Sequence, residues 1–147
     1  MTWFDQNKTI YRISLILLAI GQGPAGIWAL VSPHSFYNDF PTYGRHWVST
    51  LGPYDEHLAR DAGGGLLAAA VVVALAALWL ERRAVQLALI AWLTFAIPHF
   101  AYHLTTLDKF GTGDDIANIV TLGLAVVVPL PLLIGTWRPA RARAKEV

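Results

Sequence analysis

Four transmembrane helices in an antiparallel bundle, both termini cytoplasmic, make up the all-α architecture expected for this chain. Three observations lead there. Charged residues supply only 14% of the 147 positions while hydrophobic residues supply 55%, and soluble domains carry roughly 25% charge. Four apolar runs are each long enough to cross a bilayer, which takes about 20 residues. The basic residues crowd onto alternate loops, as the positive-inside rule requires. The expected localisation is therefore the cell membrane, as a multi-pass protein of one domain, residues 1–147.

The first run spans 13–31. Lys8 and Arg12 precede it, as they would precede a cleaved signal peptide. It is long for that role, and Gly21-Gln22-Gly23-Pro24 interrupts its middle, so it is read as a retained helix with a kink at Pro24. The second run, 62–80, holds no charge beyond Asp61 at its edge. Its stretch LLAAAVVVALAALWL (66–80) has no polar stripe at helical period, so it is apolar all round. The third, 84–102, is interrupted only by Pro98 and His99. The fourth, 116–137, carries Pro129 and Pro131 near its end, where a kink is expected. Glu81-Arg82-Arg83 is too short for anything but a helical hairpin between runs two and three. The short segment 108–115 sets run four beside run three.

Eight of the eleven Lys and Arg residues fall in the N-terminal tail, the 81–83 turn and the C-terminal tail. That side is assigned to the cytoplasm, with the basic stretch Arg138 to Lys145 as its main anchor. Seven of the ten acids fall on the opposite side. Trp79 and Trp137 read as interface anchors on the cytoplasmic face. The outer loop 32–54 carries Phe36, Tyr37, Phe40, Tyr43, Trp47 and Tyr54. A flexible linker is not this aromatic. The loop is expected at the interface, either as a plain aromatic belt or as a lid over a ligand site.

All five histidines lie in the outer half. In an antiparallel hairpin centred near residue 82, levels match where residue numbers sum to roughly 164. Asp61 then lies level with His103, and Gly65 with His99. His57 and Asp61 are four apart on one helix, and His99 and His103 are four apart on the next, so each pair shares a face. Gly63-Gly64-Gly65 removes side chains at the same depth, either to let helices approach or to leave room for a ligand. Asp115, Asn118 and Thr121 of run four fall at this level too.

His57, Asp61, His99 and His103 are thus a candidate metal set, since imidazole and carboxylate suit transition metals. A haem held by two histidines is a weaker alternative. The bland reading is a polar network that satisfies costly intramembrane groups. Trp47, Tyr54, Glu56 and Asn118 are candidate pocket residues beside that set. Glu56 and Arg60 also have the spacing of a plain helical ion pair. Gly52-Pro53 is expected to open the second helix, with Pro at its first position. Gln22 is read mainly as a packing residue.

Several classes are excluded. A net charge of +1 does not suit a nucleic-acid binder. The absence of cysteine removes disulfides, thiolate sites and cysteine nucleophiles. No nucleophile elbow, phosphate loop or HExxH motif occurs, and Gly111-Thr112-Gly113-Asp114-Asp115 is a turn into a helix rather than a nucleotide fingerprint.

Two motifs carry a resemblance. Gly52-Pro53-Tyr54-Asp55-Glu56-His57-Leu58-Ala59-Arg60-Asp61-Ala62-Gly63 and Ile97-Pro98-His99-Phe100-Ala101-Tyr102-His103, set in a four-helix layout, make the chain similar to small bacterial membrane proteins of the DoxX-like kind, in particular an actinobacterial type with an aromatic first loop. The resemblance implies a four-helix membrane fold and, for some relatives, a place as a subunit of a redox complex. Three functions stay open. One is an outward-facing His/Asp pocket for a metal or small ligand, in a redox-accessory protein. The second is a structural or accessory subunit, with a second copy or another membrane subunit as partner. The third is an enzyme acting on a lipid or quinone at the outer interface.

Overall fold

The protein is described by a computed structural model over residues 2–139. Its elements are α1 (Trp3–Gln6), α2 (Lys8–Val31), α3 (Pro33–Asp39), α4 (Glu56–Trp79), α5 (Arg82–Leu104), a 3-10 turn (Leu107–Lys109), α6 (Thr112–Val127) and α7 (Pro129–Gly135). Among the described residues there is no strand, only an isolated bridge between Thr2 and Pro139. Most of the basic C-terminal stretch, including Arg141, Arg143 and Lys145, lies outside the described residues.

Four stretches are long and apolar enough to cross a membrane: Lys8–Val31, Glu56–Trp79, Arg82–Leu104 and Thr112–Gly135. Each has 23 or 24 residues, hence a length near 36 Å against a hydrocarbon core of about 30 Å. They begin earlier than the apolar runs, because a charged first turn is still helical. Asp55 illustrates this. It is the N-cap of α4 and accepts a hydrogen bond from the Leu58 N–H at 3.0 Å. Pro53 therefore lies ahead of the helix, a correction to its expected place at the first helical position. The loop 32–54 is partly helical: Pro33 opens α3 as its first residue. Leu80 ends α4 in the left-handed region (φ 48°). That is costly for a residue with a side chain, but the side chain is buried in the core.

Helix α4 packs most closely on α2. A Cβ placed on Gly26 would lie 2.6 Å from the Leu67 backbone nitrogen, and one on Gly63 would lie 2.8 Å from the Ala29 Cβ. Only glycine allows this approach. Gly63 thus brings helices together, but the partner is α2 rather than α5. Gly64 and Gly65 face open space. Arg12 donates to the Ala77 carbonyl, Gln22 to the Leu66 carbonyl, and Arg60 to the Leu30 carbonyl. Ala77 and Leu30 lie in the last turns of their helices, where carbonyls lack helical partners.

Helix α4 meets α5 near their connecting turn. Val73, Ala76, Ala77 and Leu80 are buried there with Val85, Ala88, Leu89 and Trp92. Helices α6 and α7 form one apolar stretch broken at Pro129, as expected for that proline. Pro129 has no N–H for the Ala125 carbonyl, and the Trp92 indole supplies the donor instead at 2.8 Å. Helix α7 returns to the chain start. Gly135 sits against Trp3 and Tyr11, the Tyr11 hydroxyl donates to the Leu132 carbonyl at 2.7 Å, and Trp3 N–H donates to the Arg138 carbonyl at 2.9 Å. The packing order is thus α2, α4, α5, α6, closed into a ring at the α1–α7 end.

Candidate functional site

At the other end the ring does not close. Helices α2 and α6 stand on opposite sides of a cavity of about 1230 Å³, above the usual range of roughly 300–1,000 Å³ for small-molecule sites. The glycine seam explains the space. It draws the loop-end half of α4 onto α2, leaving the loop-end half of α5 with no such neighbour. Leu17 of α2 and Leu124 of α6 both line the cavity, yet are 64% and 54% exposed. Helices α2 and α6 are not among the packed helix pairs, so the cavity opens between them at mid-helix depth.

The aromatic loop covers its end. Trp28, Phe36, Phe40 and Trp47 form a chain of tilted and edge-on rings, with successive centroids between 4.8 and 6.3 Å. Asp114, in the first turn of α6, fastens this cover. Its Oδ1 accepts from the Arg45 guanidinium at 2.5 Å and from the Trp47 indole at 2.9 Å. A carboxylate in the first turn is also favoured by the helix dipole. Further out, the Tyr37 hydroxyl donates to the Gly52 carbonyl at 2.7 Å, and His46 Nδ1 lies 2.6 Å from the Asn38 carbonyl oxygen. Phe36, Phe40 and Trp47 of this loop line the cavity.

The polar wall comes from α5 and α6. His99 stacks on Phe95 (5.0 Å, 21°) and meets His103 edge-on at 4.7 Å. Asn118 is 2% exposed. Its Nδ2 donates to the Asp114 backbone carbonyl at 3.1 Å, which fixes the orientation of the amide, since only the nitrogen side can donate. Its Oδ1 is then left without a partner, as are the buried His103 Nδ1 and Asp115 Oδ1. A buried polar atom without a partner costs about 1–3 kcal/mol. Two of the three belong to residues that line the cavity, His103 and Asn118, and they mark where a further partner belongs.

The predicted site residues separate into two groups. His99, His103, Asn118 and Trp47 line the cavity. His57 and Asp61 do pair with each other, at 3.3 Å, but on the exposed surface of α4, with side chains 88% and 64% exposed. Glu56 is exposed and bound to Arg60 at 2.8 Å. Tyr54 packs on His34 and Tyr37, and partial burial holds its phenol above the ordinary pKa. Among the described residues no three His, Asp or Glu side chains gather to hold a metal. The four candidate ligands are therefore not brought together, because each i, i+4 pair forms within its own helix while α4 turns towards α2. Spacing gave no sign of Arg45 and Asp114, which are distant in sequence. Thr121 and Gln22 also line the cavity.

No protein-family model, curated protein or solved structure matches the chain. The DoxX-like resemblance thus rests on the helix layout and the two quoted motifs alone.

Proposed function

We propose that the chain is a multi-pass membrane protein, its helices antiparallel and both ends cytoplasmic, that binds an apolar or amphipathic small molecule inside its bundle. The observation that carries this reading is the cavity of about 1230 Å³, opening sideways past Leu17 and Leu124. In a bilayer such an opening faces acyl chains, so the ligand is drawn from the lipid phase. The contacts Arg12–Ala77, Gln22–Leu66 and Arg60–Leu30 support the antiparallel arrangement, since residue numbers fall along α4 as they rise along α2. The concentration of Lys and Arg near α1, the α4–α5 turn and the C-terminal tail supports the orientation.

The wall also has the composition of a ligand site, mostly apolar with a few polar groups that converge. A metal plays no part in this reading. The test is photolabelling in vesicles with an alkyl diazirine. Labelling at Trp28, Phe36 or Leu124 that saturates, and that excess unlabelled alkyl compound suppresses, is the expected result. Labelling that rises linearly and matches the lipid-facing Leu78 and Leu87 contradicts a binding cavity.

A further inference from the structure

We propose that the cavity selects lipid-soluble molecules with an uncharged hydroxyl head, an alcohol or a phenol, seated against His99, His103 and Asn118. The proposal rests on the cavity reading above and adds the chemistry of the head.

Charge is the first constraint. The ionisable side chains in the wall are Arg45, Asp114, His99, His103 and the phenol of Tyr102, phenols being uncharged at neutral pH. Arg45 and Asp114 already neutralise each other at 2.5 Å, so neither offers an unpaired charge. Asp115 is not part of the wall. An ionic head would lose its hydration and find no counter-charge, which proteins avoid.

Hydrogen-bond polarity is the second. Asn118 is nearly fully buried, and its amide is turned so that Nδ2 is used on Asp114 while Oδ1 is unpartnered. Oδ1 is an acceptor only, so the missing group is a donor. Ethers, esters and quinone carbonyls lack one. His103 Nδ1 is also unpartnered, and His99 is held by ring contacts. An imidazole offers donor or acceptor nitrogens, and a hydroxyl both donates and accepts. A hydroxyl is thus the smallest uncharged head able to serve both residues once their side chains turn towards the cavity, since neither atom has accessible surface in this structure. The apolar body then lies along Leu17, Leu122 and Leu124, with Trp28 and Phe40 beside the cover.

Trp28, Trp47 and Trp92 line the cavity, so the full chain in nanodiscs reports binding through its own fluorescence. The probes are tetradecanol, dodecylphenol, tetradecyl methyl ether, tetradecyltrimethylammonium and myristate. The expected result is saturable binding of a hydroxyl probe at a Kd at least about tenfold below those of the ether, ammonium and carboxylate. Whichever of the alcohol and the phenol binds more tightly identifies the natural source. An ether, ammonium or carboxylate binding as tightly as both hydroxyl probes overturns the proposal and leaves the cavity reading standing. If no probe saturates, the cavity reading itself fails and takes the proposal with it. Asn118→Leu is expected to narrow the gap between hydroxyl and ether to under about threefold, mainly by weakening the hydroxyl probe. If that variant does not fold, His99→Phe keeps the stack on Phe95 and is expected to narrow the gap likewise. An unchanged gap in the folded variant contradicts the assignment.

Discussion

Around Tyr11 the bundle is dry and satisfied. The hydroxyl of Tyr11 is fully buried and donates to the Leu132 carbonyl at 2.7 Å, and Phe4, Leu15, Val85 and Leu89 fill the space about it. Around His103, at the opposite end, a large cavity replaces the core, and three buried polar atoms have no partner. The same four helices build both ends. Glycine placement makes the difference. Gly26 and Gly63 let the α2 and α4 backbones touch in the loop-end half, which draws α4 towards α2, and Gly21 and Gly113 line the space left there. Close packing at one end positions the helices firmly enough to hold a cavity open at the other.

That contrast can be broken by substitution, and the glycine seam is where the largest effect is expected. Gly26→Val puts a branched side chain against the Leu67 backbone, which cannot move aside. We expect a loss of about 3 kcal/mol or more of stability by thermal or denaturant unfolding in a lipid-like detergent. Tyr11→Phe follows. It leaves the Leu132 carbonyl buried without its donor, at an expected cost of about 1–3 kcal/mol. Asn118→Leu is expected to behave oppositely at the cavity end. It removes an unsatisfied acceptor along with one hydrogen bond, so stability stays within about 1 kcal/mol while ligand affinity falls. Asp114→Asn loosens the cover. Its ion pair with Arg45 is partly exposed, so the cost is no more than about 1 kcal/mol, and the visible result is faster ligand exchange in stopped-flow fluorescence.

The smallest effect concerns Asp5. Hydrogen bonds from Thr2 to its carboxylate hold its pKa below the ordinary value. A depressed carboxylate stabilises the fold above the unfolded pKa of about 3.9, and that contribution is lost as pH falls through the lower folded value. Hydrogen exchange at α1 is therefore expected to speed up only in strong acid, with the cavity end unaffected.

The helices were legible because apolar length is a local property. Each run was found, but the first turns at Lys8, Glu56 and Thr112, where charged or polar residues continue the helix, were missed, as were the last turn of α5 and the short helices α1 and α3. One proline was legible, since the break expected near Pro129 and Pro131 falls at Pro129, whereas Pro53, expected to open the second helix, lies ahead of it. Asn118 and Thr121, expected at the depth of His99 and His103, line the same cavity as those histidines. Which helix faces which was not legible. His57 and Asp61 have the same spacing as His99 and His103, yet one pair is at the surface and the other lines the cavity. The deciding contact is Gly63 against Ala29, and nothing local to α4 says that α2 supplies the partner. The Arg45–Asp114 fastening was hidden for the same reason, because it joins two distant loops.

The central claim, that an open cavity rather than a packed core occupies the loop end and holds a ligand, is tested most directly by two matched substitutions. Gly21 lines the cavity and Gly65 does not, and an added Cβ meets nothing at either position. Native mass spectrometry of the lipid-extracted protein measures the retained small molecule in wild type, Gly21→Leu and Gly65→Leu. Gly21→Leu is expected to keep the wild-type melting temperature and to lose at least about nine-tenths of the bound molecule, a tenfold effect on affinity or more, while Gly65→Leu retains it. Equal retention in all three proteins, or no retained molecule in wild type, would contradict it.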